Sequence, residues 1–174
     1  MPLAKETLRA KFIGVFNDVQ NRVIQVSNPP ITAVPLIPVP VANALASAYH
    51  VWAQEATAGG MIPVGGNPAL ISSQLSTLPM MAGWGPGLAA YWLATTWSSV
   101  PPGTMVGVSI PAIMAKNSID IIARILTPAT IGRTPQSKEE FADILADILS
   151  SNTKMMTVTQ TIVQTGVTAV VTVS

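Results

Sequence analysis

Apolar residues recur at the spacing of an α-helix in six stretches of the chain, and connectors rich in glycine or proline separate these stretches. In the first stretch, Pro2 suits the first turn of a helix, and the apolar positions that follow are three or four residues apart. The pattern therefore predicts six helices, over about residues 2–26, 41–56, 68–75, 86–97, 109–128 and 137–152.

The sixth predicted helix has the most definite start. Ser137 and Glu140 form a capping box, in which the hydroxyl and the carboxylate each bind a backbone amide that the first turn leaves free. The apolar positions that follow are Phe141, Ile144, Leu145, Ile148 and Leu149. This spacing predicts a helix with one buried stripe.

Two stretches of the chain do not follow the helical period. Residues 28–40 contain five prolines among aliphatic residues, which predicts a stiff, extended connector laid over the domain or a neighbour. After residue 155, valine and threonine alternate with other residues, and both are strand formers. Gly166 suits a turn or a bulge, so the tail is expected to form one or two β-strands.

A degenerate internal repeat suggests how the helices are arranged. Residues 41–49 match residues 141–149 in polarity at each position, and residues 84–92 form a looser third copy. The predicted fold is therefore mainly α: a compact bundle of about six helices, built as three helix–connector–helix units, with a C-terminal β-strand or hairpin tail. The expected division is a helical domain over residues 1–154 and a β arm over residues 155–174.

The amino-acid composition adds a second constraint, which is that the chain carries little charge. Charged residues make up 10% of the 174 residues, where about 25% is typical of soluble domains, and residues 56–115 contain none. A surface so poor in charge is usually covered by lipid or by neighbouring subunits. A membrane-spanning helix needs about 20 uninterrupted apolar residues, but Pro79, Gly83 and Pro86 interrupt the best window, residues 78–96. The composition therefore favours burial against other subunits.

The net charge, the lack of cysteine and the first residues limit the possible partners, metal sites and location of the protein. A net charge of +1 argues against nucleic acid or an anionic membrane as a partner. The sequence contains no cysteine, which excludes disulfides and thiolate metal sites. The first residues lack the pattern of a signal peptide, so the protein is expected to be made in the cytoplasm and kept there until assembly.

The residues that carry chemistry do not form a catalytic or metal-binding set. His50 is the only histidine, and no acidic residue is close to it on its helix face. Glu55 is the only acid in a long neutral stretch, and we interpret it as solvent-facing. Asp143 and Asp147 share a helix face and are expected to be solvated rather than to bind a cation. We therefore predict no enzyme activity, no catalytic residue, no cofactor and no metal.

Two groups of residues are candidates for contact with other subunits. Tryptophans occur both in protein cores and at binding hot spots, and both alternatives stay open for the three in the neutral middle of the chain. The alternating tail is expected to pair as strands within or between subunits. The predicted contact residues are Trp84, Trp92, Trp97, Val158, Ile162, Val167, Val171 and Val173.

Three segments resemble a group of small structural proteins of the virions of tailed bacteriophages, especially those that infect cyanobacteria and related aquatic hosts. These segments are the opening residues 2–8, residues 53–60 after an alanine-rich helix, and residues 89–93. The resemblance implies a protein present in many copies on the particle, at the capsid, neck, tail or baseplate. It implies no active-site residues.

Together, these observations predict a non-enzymatic structural subunit of a tailed-phage virion, made in the host cytoplasm. Its expected partners are other virion proteins and copies of itself, as a homo-oligomer within a larger assembly, without nucleic acid or membrane. Two alternatives stay open: a membrane-associated or pore-forming protein, and a soluble adaptor module.

Overall fold

Helices and a five-stranded antiparallel sheet share one core in this protein. The computed structural model describes residues 3–26, 36–126 and 135–174. In chain order the helices and strands are α1 (Lys5–Gln20), α2 (Val39–Ala53), β1 (Met61–Val64), α3 (Ala69–Thr77), α4 (Trp84–Ala94), β2 (Thr96–Ser99), β3 (Met105–Ile110), α5 (Lys116–Ile121), α6 (Lys138–Lys154), β4 (Thr157–Ile162) and β5 (Thr168–Thr172). Short 3₁₀ segments precede α4 and α5, and a π-helical segment, Ile122–Leu126, follows α5.

The prediction of a helical bundle with only a C-terminal β tail is wrong. Three further strands, β1 to β3, lie in the middle of the chain and belong to the same sheet as β4 and β5. The strand order is β1-β2-β3-β4-β5, and every neighbouring pair is antiparallel. The C-terminal residues therefore complete a sheet that begins at residue 61.

The three middle strands carry weak sequence signals. Strand β1 has only four residues and contains Pro63, which is unusual in a strand because proline has no backbone donor. Strand β2 continues directly from the apolar run of α4, and the expected helical residues 96 and 97 belong to the strand. Helix α4 ends before Thr95, whose backbone is extended.

Strand β3 reverses the usual arrangement of a half-buried strand. Its inward positions are Met105, which is partly buried, and Gly107 and Ser109, which are buried, while Val106, Val108 and Ile110 point outward. A Cβ atom at Gly107 would lie 2.8 Å from Val158 Cγ1, 2.9 Å from Met61 Cε and 3.0 Å from Trp97 Cβ. The large side chains of neighbouring strands therefore fill the space beneath Gly107, and a strand with small inward residues fits under them.

The predicted start of the sixth helix agrees with the structure, whereas the fifth helix, expected from about residue 109, begins at Lys116 because Ser109 and Ile110 end strand β3. The cap of α6 is confirmed, since Ser137 Oγ accepts a hydrogen bond from the Glu140 amide at 3.1 Å. The Glu140 carboxylate accepts from the amide of Gln136 at 2.9 Å, one residue earlier than the expected capping box. Of the predicted connector 28–40, residues 28–35 lie outside the described residues, and α2 begins at Val39.

Helix α1 packs between α6 and α2. It buries Leu8, Phe12 and Val15. Beside this contact, the carboxylate of Asp143 on α6 lies 3.0 Å from Lys5 Nζ. This ion pair is partly exposed, so it is expected to contribute no more than about 1 kcal/mol to stability, and the buried apolar residues hold α1 in place.

A hydrogen-bonded aromatic seam joins the helices to the sheet. Trp92 of α4 stacks on Trp97 of β2, with 5.6 Å between ring centroids and 10° between ring planes. Trp92 Nε1 donates to Tyr49 Oη at 2.9 Å, and Tyr49 Oη shares a hydrogen bond of 2.7 Å with Thr153 Oγ1 on α6. Trp97 Nε1 donates to Ser109 Oγ of β3 at 2.8 Å. Burial raises the pKa of Tyr49 above its ordinary value, so this hydroxyl stays neutral within the seam.

We expect Tyr49→Phe to lower the free energy of unfolding by about 2–4 kcal/mol, because it leaves the Trp92 N–H and the Thr153 hydroxyl buried without a partner. Urea denaturation measures this loss. The matched control is Tyr91→Phe, which also removes a buried hydroxyl. The hydrogen-bond partners of Tyr91, His50 and Gln54, are only partly buried and can turn to water, so its loss should be about 1 kcal/mol. Equal losses in the two variants would contradict the seam.

Candidate interaction surface

The sheet has one buried face and one exposed face. The buried face includes Met61, Trp97, Gly107 and Val158, and the strand register aligns them with their neighbours across the sheet. We call the opposite side the outer face. Its residues are Ile62, Val64, Thr96, Ser98, Val106, Val108, Ile110, Thr157, Thr159, Thr161, Thr168, Val170 and Thr172.

The register forms rows of β-branched side chains across the outer face. In one row, Val64, Thr96, Val108, Thr159 and Val170 lie opposite one another in successive strands. Directly opposed side chains on one face are about 5 Å apart, so this row forms continuous contact from one edge of the sheet to the other. The six aliphatic side chains of the outer face are between 41% and 64% exposed.

The outer face carries no charge. Its residues are aliphatic or bear a hydroxyl, and none of the five strands contains a Lys, Arg, Asp or Glu. The solvent-facing side of an antiparallel sheet normally alternates polar, often charged, residues with the buried ones. Association through this surface would therefore rest on apolar contact and hydroxyl hydrogen bonds rather than on ion pairs.

The centre of the outer face is concave. A shallow depression of about 460 Å³ lies over β2, β3 and β4, and Pro102 in the connection between β2 and β3 forms one side of it. Among its lining residues are Thr96, Val106 and Thr161. The depression is open and contains no charged side chain, so it suits an apolar side chain of another protein better than a charged small molecule.

The two edges of the sheet differ in their capacity to accept another strand. At one edge, β1 is four residues long and contains Pro63, which lacks a backbone donor. At the other edge, β5 contains neither proline nor a charged residue. The final residue, Ser174, exchanges two backbone hydrogen bonds with Thr57, at 2.8 and 2.9 Å, which covers the edge beyond the end of β5.

Most of the eight predicted contact residues lie inside the protein. Trp84, Trp92 and Trp97 are fully or almost fully buried in the core. Helix α4 places the first two against Tyr49 of α2, and Trp97 points from β2 towards the helices and stacks on Trp92. The sequence left two interpretations open for these tryptophans, core packing or contact with another subunit. The structure places all three in the core.

The other five predicted contact residues lie on one face of the hairpin, opposite to the outer face, and their burial decreases towards the turn. Val158 and Val173 are buried and Val171 is partly buried, while Ile162 and Val167 are exposed near the turn between β4 and β5. The prediction of strands in the tail is confirmed, but the contact residues predicted there lie on the face opposite to the outer face. The outward residues of β1 to β3 were missed, although the alternation of Val106, Val108 and Ile110 is a signal that could have found them.

The structure shows the contacts of the acidic residues and the histidine that were considered for catalysis or metal binding. His50 Nδ1 shares a hydrogen bond of 2.8 Å with Tyr91 Oη, and burial raises the pKa of Tyr91 to about 12. Glu55 is exposed. Asp147 pairs with Arg124 at 2.9 Å. Among the described residues, no three His, Cys, Asp or Glu side chains are grouped in a way that would hold a metal ion.

Within residues 3–26, 36–126 and 135–174, none of the helices combines the length and the hydropathy needed to cross a bilayer. The longest described helix is α6, with 17 residues, and it carries charged side chains along much of its length.

Comparison with known proteins gives no relative: no family model, no curated protein and no solved structure matches the chain.

A pair of lysine substitutions tests which face of the sheet is exposed. Val108→Lys places the charge on the outer face, and we expect the free energy of unfolding to change by no more than about 1 kcal/mol. Val158→Lys, in the neighbouring strand, places the same charge in the core and should cost more than about 3 kcal/mol. Urea denaturation monitored by tryptophan fluorescence compares the two. A larger loss for Val108→Lys than for Val158→Lys would reverse the assignment of the faces.

Proposed function

We propose that the protein is a non-enzymatic structural subunit, and that its outer face packs against neighbouring subunits of a larger assembly. The observation that carries this proposal is the absence of charge across the whole outer face, in all five strands. The resemblance of residues 2–8, 53–60 and 89–93 to virion proteins makes the particle of a tailed bacteriophage the proposed assembly.

The size of the outer face supports a stable contact. With its aliphatic side chains about half exposed, the outer face presents on the order of 800 Å² of accessible surface, which is what each partner contributes to an interface of standard size. The largest apolar patches on ordinary monomers are about 300–600 Å² and are often functional. The aliphatic part of the outer face falls within this range, so its size fits a surface that contacts a partner.

The chemistry of the outer face favours a protein partner. Nucleic acid binding needs lysine or arginine to neutralise phosphates, and the outer face has neither. A membrane surface is a weaker fit, since seven outer-face residues carry hydroxyls and no basic residue is available to pair with anionic lipid. Valine and threonine in alternation suit another protein surface, where methyl groups pack and hydroxyls find hydrogen-bond partners.

The distribution of charge supports the same proposal. The charged residues of the described chain lie on the helical side or in its connections, with the largest groups on α1, α5 and α6. Asp143, Asp147 and Asp120 are paired there with lysine or arginine. Helices α1, α5 and α6 thus give the subunit a surface suited to water, and the neutral sheet gives it one suited to neighbours, which we propose to be other virion proteins and copies of this chain.

The proposal predicts that a charge on the outer face blocks assembly without unfolding the chain. In phage particles produced with the Val108→Lys variant, we expect the copy number of the protein per particle to fall at least tenfold, because a lysine buried in a neutral interface loses its hydration without gaining a partner. Quantitative mass spectrometry of purified particles measures the copy number.

The matched control for this experiment is Val163→Lys. Val163 is exposed in the turn after β4 and lies outside the outer face, so this variant should be incorporated at the level of the unmodified protein. Two results would overturn the proposal: absence of the unmodified protein from the particles, or equal incorporation of the two lysine variants.

A further inference from the structure

We infer that two copies of this chain pair through their β5 strands, antiparallel and around a two-fold axis at Val170, to form one ten-stranded sheet. This inference rests on the proposed function and deepens it, because it names one neighbour of the subunit and the edge through which that neighbour binds. It concerns the edge of the sheet, which is a different surface from the outer face.

The hydrogen bonds of the last hairpin show which backbone groups of β5 face its free edge. The Ile162 amide donates to the carbonyl of Val167 at 2.9 Å, and the Val173 amide donates to the carbonyl of Met156 at 3.1 Å. In an antiparallel pair, residues that exchange hydrogen bonds alternate with residues that point away. Odd-numbered residues of β5 therefore bond to β4, and the N–H and C=O groups of Thr168, Val170 and Thr172 point to the free edge.

Within the described part of the chain, no strand pairs with β5 on its free edge. The strand has no proline and no charge, which are the features that commonly block edge pairing. The opposite edge of the sheet, at β1, is short and contains Pro63. A second strand therefore meets fewer obstacles at β5 than at β1.

The extent of the free edge determines the register. Thr57 occupies the edge next to Ser174, so only residues 168–172 are open, and their midpoint is Val170. A two-fold axis at Val170 places Thr168 of one copy opposite Thr172 of the other, and Val170 opposite itself. In this register each of the three facing pairs exchanges both backbone hydrogen bonds, which gives six bonds across the axis.

The side chains favour a second copy of this chain as the occupant. Thr168, Val170 and Thr172 belong to the outer face, and the sequence of types, threonine–valine–threonine, reads the same in both directions. The two-fold register therefore pairs threonine with threonine and valine with valine, which are favourable cross-strand pairs. It also joins the two outer faces into one continuous uncharged surface, so the area available to further neighbours doubles.

Single cysteines test the register directly, since the natural chain contains none. In the inferred register, the two Val170 Cα atoms are about 5.5 Å apart, within the range that a disulfide spans. We expect the Val170→Cys variant to form a disulfide-linked dimer in most of the protein after mild oxidation. The Thr168→Cys variant alone should not, because its two Cα atoms lie about 14 Å apart, whereas a mixture of Thr168→Cys and Thr172→Cys should cross-link.

A proline substitution tests whether the backbone of β5 is used. Val170 does not bond to β4 through its N–H, so Val170→Pro leaves the internal sheet intact while it removes two of the six bonds and crowds the edge. We expect the unmodified protein to sediment as a dimer and Val170→Pro to sediment as a monomer with an unchanged circular dichroism spectrum. If Val170→Pro does not fold, Val170→Lys takes its place, because two lysines would then face each other at the axis.

The outcomes separate this inference from the proposed function. A monomeric unmodified protein in which Val170→Cys cross-links no better than Thr168→Cys overturns the β5 pairing. If Val108→Lys still fails to enter particles, the proposed function stands without this pairing. If the Val170→Cys dimer forms but the protein is absent from particles, the pairing stands and the virion role is wrong.

Discussion

The contact between Trp92, Tyr49 and Trp97 determines which side of the sheet faces the helices. Trp92 stacks on Trp97 of β2 and donates a hydrogen bond to Tyr49 of α2, and Tyr49 in turn bonds to Thr153 of α6. Three helices and the sheet are thus joined by aromatic rings whose polar atoms are satisfied inside the core. Buried polar groups of this kind stabilise only one arrangement of the surrounding elements, because any shift leaves a donor without an acceptor.

This contact also determines which residues of the other four strands point inward and which point outward. Once Trp97 points inward, the period of two along β2 and the register with its neighbours place Gly107 and Val158 inward as well. Val108 and Thr159 must then point outward, and the rows of β-branched residues on the outer face result. The composition of the outer face is therefore a consequence of how the core is packed.

The concentration of charge on α1, α5 and α6, and its absence from the sheet, would affect any assembly through the sheet. Ion pairs such as Lys5 with Asp143 lie on the helical side, where water reaches them and they contribute little to stability. On the sheet side, association removes no charge from water, so the full penalty of burying an unpaired ion is avoided. The open edge at β5 belongs to this neutral side, which makes strand pairing and face packing compatible in one assembly.

The helix start at Ser137 and the stripe that follows it could be predicted because capping and helical spacing are local properties of the sequence. The lack of charge over residues 56–115 was equally visible, and with it the expectation that much of the surface is covered. Strands β1 to β3 could not be predicted from the helical period alone. Each is short, and in β3 two of the three inward positions are a glycine and a serine. The burial of Gly107 depends on Met61, Trp97 and Val158 from other strands.

Local signals in the sequence were enough to predict the helix at Ser137, the β character of the tail and the shortage of charge. The packed fold was needed to show that the tail joins a five-stranded sheet, that Trp84, Trp92 and Trp97 are core residues, and that Val106, Val108 and Val170 face outward. The physical reason is that residue type and spacing act within a few residues along the chain. The choice between the two faces of a strand depends on side chains that are distant in sequence and meet only when the core is packed.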